Sequence, residues 1–218
     1  MEDDIEQISV RPSQIERETS EIYHICFLLR QKLVADVVPL IIHHAGLFKR
    51  FTCSTGLVRR PLVVDEDIAP RTCFITPSIR SSAKTQQPVK KIAFLIQSCD
   101  QGAIDHPFDG GCSWTWFTAG LLASPGGDDP SEGRLSKDGA DEFLVQERQI
   151  FRNERASAAF KTHVVQWTVD SLEPVERDWV SSLQRGDRIA VRAWAQYPGW
   201  QNHLRSVSVA IYTATIVR

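Results

Sequence analysis

The second half of this chain has the pattern of one β-strand after another, with no helical pattern of comparable length between them. Six runs rich in β-branched and aromatic residues, separated by turns of Gly, Pro and Asp, cover residues 91–99, 113–119, 147–153, 161–169, 187–196 and 205–217. Parallel sheets need long crossover connections, usually helical, so consecutive strands without helices indicate an antiparallel fold. We therefore predict a mainly β protein, an antiparallel β-sandwich or jelly roll.

A small helical region precedes the strands. Ser13 and Glu16 have the spacing of a capping box, and Ile22, Cys26 and Leu29 follow at helical intervals. A second apolar run, 34–45, contains a proline that should kink or restart the helix. We predict an N-terminal helical segment over residues 1–51, an irregular, proline-punctuated connector over 52–89, and the sandwich over 90–218. A short turn or helix is expected at 172–183.

Composition excludes several classes of function. Twenty-five Lys and Arg against 27 Asp and Glu give a net charge of −2, which supplies no field for binding nucleic acid. The start is acidic, and no apolar run approaches the roughly 20 residues that span a bilayer, so we expect no membrane association and a cytoplasmic location. Five scattered cysteines without a Cys-x-x-Cys pair predict free thiols and no metal site.

Alternation along the strands defines a candidate binding face. In 189–196, the side with Ile189, Val191, Ala193 and Ala195 is expected to be core, and the other side is polar and aromatic. If matching faces of three strands coincide, they form a concave indole patch containing Trp114, Trp116, His163, Trp167, Arg192, Trp194 and Gln196. Such a patch suits a flat organic ligand. The alternative is that these tryptophans fill the core between two sheets.

Two loops could form the rim of such a patch. Residues 100–111 contain Asp105 and His106, and a histidine beside a carboxylate can act as a general acid or base, although a solvated turn is the alternative. Residues 197–203 contribute Trp200 and Asn202. The chain has no glycine-rich phosphate loop, nucleophile elbow or paired-histidine metal motif, so no cofactor is expected.

Several short segments together resemble a fungal protein family. They are PVKKIAF at 88–94, SCDQG at 98–102, SWTWF at 113–117, GDRI at 186–189 and YPGWQN at 197–202. The resemblance implies a β-sandwich behind a degenerate F-box-like helical start, here residues 33–48. Two positions depart from the family pattern: Ala103 replaces a Trp, and Val34-Ala35 replaces Leu-Pro. The second departure weakens an adaptor-binding function.

The resemblance extends to fungal hetero-Diels-Alderases of tropolone-sesquiterpenoid pathways, and so implies a cofactor-free biosynthetic enzyme, a pericyclase of cyclase or lyase type. Such an enzyme would dehydrate a tropolone-like alcohol to a quinone methide and guide its cycloaddition with a terpene alkene. Arg192 would bind the substrate oxygens, and His163 or His106, beside Asp105, would protonate the departing hydroxyl. The substrate-binding set would be Trp114, Trp116, Trp167, Trp194, Gln196, Trp200 and Asn202.

Two other functions remain open. The aromatic face could stack on sugar rings, or the helices could dock a partner, which would make the protein a lectin-like or F-box-like binding module. A sandwich without a ligand is the third possibility. The expected partner is a small hydrophobic or aromatic substrate, and an open sheet edge or the N-terminal helix could also support a homodimer.

Overall fold

A computed structural model describes residues 15–80, 88–101, 113–123, 144–155 and 157–214, with side chains from Ser20 onward. Within these ranges the helices are α1 (Ile15–Arg30), α2 (Val37–His44) and α3 (Pro174–Ser182). The strands are β1 (Lys49–Ser54), β2 (Leu62–Val64), β3 (Arg71–Ile75), β4 (Val89–Asp100), β5 (Thr115–Leu122), β6 (Leu144–Arg152), β7 (Lys161–Thr168), β8 (Arg188–Ala195) and β9 (Asn202–Thr213).

The strands form two antiparallel sheets. One has the order β1-β9-β4-β7, with β2 also paired to β9, and the other has the order β3-β8-β5-β6. When β1 and β2 are counted as one interrupted first strand, the orders become first-eighth-third-sixth and second-seventh-fourth-fifth. That interleaving is the jelly roll, so the predicted fold class is confirmed.

The core lies between the sheets and follows the alternation of the strands. Ile92, Phe94 and Ile96 of β4 are buried against Ile189 and Val191 of β8 in one cluster. Each such side chain contributes roughly 1.5–3 kcal/mol when it leaves water. The predicted core positions of β8 are all buried, with Ala195 at 4% exposure.

Helix α3 closes one end of the core. The Trp179 ring is fully buried and packs edge-to-face on Trp167, with ring centroids 5.0 Å apart. The turn or helix predicted at 172–183 is therefore a helix. It begins at Pro174, whose missing N–H costs nothing in the first turn.

The two N-terminal helices pack through a small core of their own, made by Ile22 and Cys26 of α1 and Val38 and Ile42 of α2. Pro39 is the third residue of α2, so the chain restarts at this proline rather than continuing α1. None of the described helices is long and apolar enough to span a membrane.

The prediction of an irregular connector over residues 52–89 was wrong. This segment supplies β2, β3 and the second half of β1, which pair with β9 and β8. β2 has three residues and β3 is interrupted by a bulge at Cys73, so neither is long enough to display a two-residue period. β5 runs to Leu122, and residues 124–143 lie outside the described part of the chain.

Candidate functional site

Indole and guanidinium groups meet on the outer face of the β3-β8-β5-β6 sheet. Trp116 of β5 is directly opposite Trp194 of β8, and Thr118 is opposite Arg192. These four side chains point away from the core because their neighbours Phe117, Val191 and Ala193 point into it. The two indoles stack with ring centroids 5.5 Å apart and planes within 9° of parallel.

A second arginine extends this stack onto β6. Arg152 is opposite Trp116, with its guanidinium carbon 5.0 Å from that ring centroid and 5.8 Å from the Trp114 centroid. Its Nη1 donates to the Ser113 carbonyl at 3.3 Å. Trp114 in turn packs edge-to-face on Tyr197, with centroids 4.8 Å apart. We call Trp114, Trp116, Arg152, Trp194 and Tyr197 the indole–arginine cluster.

Sequence reasoning missed Arg152. Nothing local distinguishes it from other arginines at strand ends. Its position follows from the β5–β6 register, which contains two irregularities, between Phe117 and Thr118 and between Leu121 and Leu122. The only signal in the sequence was the alternation that places Trp116 on an outer face.

Stacking determines which parts of the indoles a ligand can reach. Arg152 and Trp194 lie on the two strands that flank Trp116, so they occupy opposite faces of its ring. The edges of the stacked indole rings therefore face outward. They lie beside two exposed side chains, Arg152 and the 44% exposed Tyr197. The cluster offers edges, a phenol and a guanidinium rather than a broad flat platform.

A buried polar chain lies beside the stack. Trp194 Nε1 donates to Thr118 Oγ1 at 2.9 Å, and Thr118 Oγ1 donates to Glu147 Oε1. Arg192 Nη1 donates to Glu147 Oε2 at 3.1 Å. Because an indole can only donate and a carboxylate can only accept, the direction of this chain is fixed.

This chain corrects the role predicted for Arg192. Its side chain is 7% exposed and paired with Glu147, so the guanidinium is not presented to an incoming anion. A buried guanidinium needs an anionic or polar partner, because burying an unpaired charge is costly. The anion is a carboxylate of the protein itself, on a strand whose pairing could not be read from the sequence.

Trp167 was wrongly predicted to bind substrate. It is 1% exposed and packs edge-to-face on Phe94, with centroids 4.9 Å apart, in the core between the sheets. Strand β7 belongs to the other sheet, so its inward face meets the core and cannot meet the outer face of β5 and β8. The alternative reading, an inter-sheet tryptophan, is correct for this residue.

His163 also lies away from the cluster. It is opposite the fully buried Ile96, and its ring stacks on Phe151 with centroids 4.1 Å apart. Burial lowers the pKa of His163, and the nearby Glu154 partly opposes this. The described structure therefore does not place this imidazole where it could protonate a ligand on the indole–arginine cluster.

Asn202 fastens strands together instead of facing a ligand. It is fully buried, and Nδ2 donates to the carbonyls of Trp116 at 3.1 Å and Trp194 at 3.2 Å. Its Oδ1 accepts from Asn153 Nδ2 at 3.0 Å. Asn153 also accepts from Ser98 Oγ at 2.7 Å, so this amide pair ties both sheets together beneath the indoles.

The remaining predicted residues divide into three groups. Gln196 is exposed and donates to the Tyr197 hydroxyl at 3.4 Å, at the margin of the cluster. Trp200 is half-buried in the turn after β8, where its backbone N–H donates to the backbone carbonyl of Tyr197 at 3.0 Å. Asp105 and His106 lie outside the described residues. Within the described ranges no three His, Cys, Asp or Glu side chains are grouped to hold a metal ion.

Fold and site together define a jelly-roll β-sandwich with a cationic aromatic cluster on one outer sheet face. No protein-family model and no curated protein matches the chain. Among solved structures it is similar to the VP2 subviral particle of infectious bursal disease virus, at 9% identity and TM-score 0.37, over 75% of this chain and 32% of that one. A structure of the Gx strain of the same virus is similar at 9% identity and TM-score 0.32, over 77% of this chain and 36% of that one.

The chain therefore spans about a third of the length of these viral chains. A xylan-binding module, CBM15, is similar at 9% identity and TM-score 0.29, over 74% of this chain and 97% of that one. Likenesses at this level carry no information about function.

Proposed function

We propose that the indole–arginine cluster binds a planar aromatic anion, such as a tropolonate or an aromatic carboxylate. The observation that carries the proposal is the state of Arg152. Its guanidinium is exposed and oriented by two indoles and a carbonyl oxygen. No carboxylate of the described residues lies within salt-bridge distance of it.

The chemistry of the surrounding groups fits such a ligand. A guanidinium offers two parallel donors that match paired oxygens on a planar anion. Indole edges carry partial positive charge and favour edge-to-face contact with the electron-rich face of another ring. The exposed phenol of Tyr197 supplies a further polar contact at the margin. In this proposal Arg152 takes the role that the fungal resemblance implies for Arg192.

Carbohydrate binding is the less supported alternative. Sugars bind to open aromatic faces, and both faces of Trp116 are already covered by Arg152 and Trp194. The exposed formal charge of the cluster also favours an anion over a neutral sugar.

The reaction that we propose for this site is the cofactor-free dehydration and cycloaddition implied by the fungal resemblance. Holding the tropolone oxygens at Arg152 would fix the ring while the hydroxymethyl C–O bond breaks and water leaves. Holding the resulting quinone methide against an alkene can lower the barrier by roughly 7–11 kcal/mol. Both oxygens of Glu147 accept hydrogen bonds from Arg192 and Thr118. In this proposal solvent therefore delivers the proton that turns the departing hydroxyl into water, and it balances the proton that the ring hydroxyl releases when the substrate binds as an anion.

Calorimetric titration with tropolone tests the binding proposal. Arg152→Gln should weaken binding by about 1.5–3 kcal/mol, or on the order of 10- to 100-fold in Kd, because it removes a charge-assisted hydrogen bond. Arg185→Gln is the matched control, since Arg185 is exposed and precedes the opposite end of β8. Equal affinity of wild type and Arg152→Gln would contradict the proposal.

The catalytic part is tested separately with a tropolonic alcohol and humulenol. The wild type should increase the adduct yield and select one stereoisomer, and Arg152→Gln should lose both effects. A yield and stereochemistry identical to a protein-free reaction would remove the enzymatic function while leaving the binding result intact.

A further inference from the structure

Thr118 occupies the centre of the polar chain beside the indole stack. It is 6% exposed, and its single hydroxyl accepts from Trp194 Nε1 and donates to Glu147 Oε1. Both capacities of the hydroxyl are used in a fixed direction, from an obligatory donor to an obligatory acceptor. The hydroxyl therefore links the Trp194 N–H to the Glu147 carboxylate and holds the indole in the orientation that the structure shows.

The orientation of Trp194 affects side chains on the two neighbouring strands, β5 and β6. Trp194 stacks on Trp116, and the other face of Trp116 carries the Arg152 guanidinium at 5.0 Å. The Glu147 end of this series of hydrogen bonds is fixed, because Glu147 also accepts a hydrogen bond from the buried Arg192. A rotation of Trp194 would thus displace the ring that supports Arg152.

We propose that Thr118 is a positioning residue, which sets the orientation of the stacked indoles and thereby the affinity of Arg152 for a planar anion. The effect on anion affinity rests on the proposed function, whereas the orientation of the indoles by Thr118 does not. Two readouts therefore measure the orientation and the affinity separately.

The chain offers matched variants for this test. Thr118→Val keeps the size and β-branching of the side chain and removes only the hydroxyl, and Thr118→Ser keeps the hydroxyl. Because Val is a good strand residue, neither change should unfold β5. Melting temperatures and the backbone amide spectrum verify the fold of each variant.

The first readout is the Trp194 indole N–H resonance of 15N-labelled protein, assigned by its loss in Trp194→Phe. In the wild type and Thr118→Ser it should exchange slowly with water. In Thr118→Val exchange should be at least about tenfold faster, because the only acceptor that the described structure gives this N–H has gone. An unchanged exchange rate in Thr118→Val would overturn the proposal whatever the ligand data show.

The second readout is the Kd for tropolone. Thr118→Val should weaken tropolone binding about tenfold, and Thr118→Ser should bind like wild type. The expected size comes from metal sites, where removing a group that orients a ligating residue costs about 10- to 100-fold in affinity. Faster indole exchange with unchanged affinity would refute the link between Thr118 and Arg152. If the wild type does not bind tropolone at all while Thr118→Val still changes the exchange rate, the proposed function fails and the orienting role of Thr118 stands.

Discussion

Removing the Asn202 side chain should destabilise the whole sandwich, although the sequence placed this residue among the ligand contacts. Asn202→Ala deletes two donated hydrogen bonds and one accepted bond at a position with no exposure. At about 1 kcal/mol for each net hydrogen bond, plus a small cavity term, the loss should be about 3–4 kcal/mol. For a chain of this size that corresponds to a fall of about 6–16 °C in Tm.

Urea unfolding followed by fluorescence measures this free energy of unfolding. Asn202→Asp separates hydrogen bonding from shape, because it keeps the volume but replaces the donating NH2 with an oxygen that faces two carbonyls. It should be at least as destabilising as Asn202→Ala at pH 7. Gln184→Ala, at an exposed position, should stay within about 0.5 kcal/mol of wild type. A loss below about 1 kcal/mol for Asn202→Ala would refute the claim that this amide fastens the strands.

Two further predictions concern the Glu147–Arg192 ion pair and the half-buried imidazole of His163. In a double-mutant cycle of Glu147→Leu and Arg192→Met, each single change should cost about 2–4 kcal/mol of unfolding free energy, because it removes the opposite charge from an ion pair that is shielded from solvent. The double change should cost clearly less than the sum of the two, and additive costs would contradict this. As a control, Glu154→Gln in the exposed pair with Lys161 should cost below about 1 kcal/mol. The pKa of His163 is lower in the folded protein than in the unfolded chain, so the contribution of this residue to stability is complete above pH 6.5 and is lost as the pH falls below 6.5. His163→Phe keeps the stack on Phe151 and should flatten the fall in unfolding free energy between pH 7 and 5. The remaining fall should include the contribution of His203, whose pKa is also lowered by burial. An identical pH profile in wild type and variant would contradict that origin.

The fold was predictable from the sequence because its signals are local. Alternation within 189–196 assigned both faces of β8 correctly, since the two-residue period is a property of the strand itself. The absence of long helical patterns between the strands of the second half indicated antiparallel sheets. The short strands β2 and β3 could not be recognised in the same way, because they have too few residues to show a two-residue period and are defined by their pairing with β9 and β8.

The composition of the site was only partly predictable, because it depends on which strands are neighbours. Trp116 and Trp194 do share a face, as the alternation of their strands allowed. His163 and Trp167 follow the same alternation but lie on β7, which belongs to the other sheet and turns them towards the core. Arg152 and Glu147 joined the site through the β5–β6 pairing, which contains irregularities that no local period reveals.

The position of β9 has a consequence for how the protein is made. This strand lies between β4 on one side and β1 with β2 on the other, and its bond from Cys53 to Val209 joins residues 156 positions apart. A chain still on the ribosome therefore cannot complete its first sheet until Thr213 has been synthesised and has left the exit tunnel. Until then β1, β2 and β4 present edges without their β9 partner, and such edges are sites at which nascent or truncated chains can aggregate.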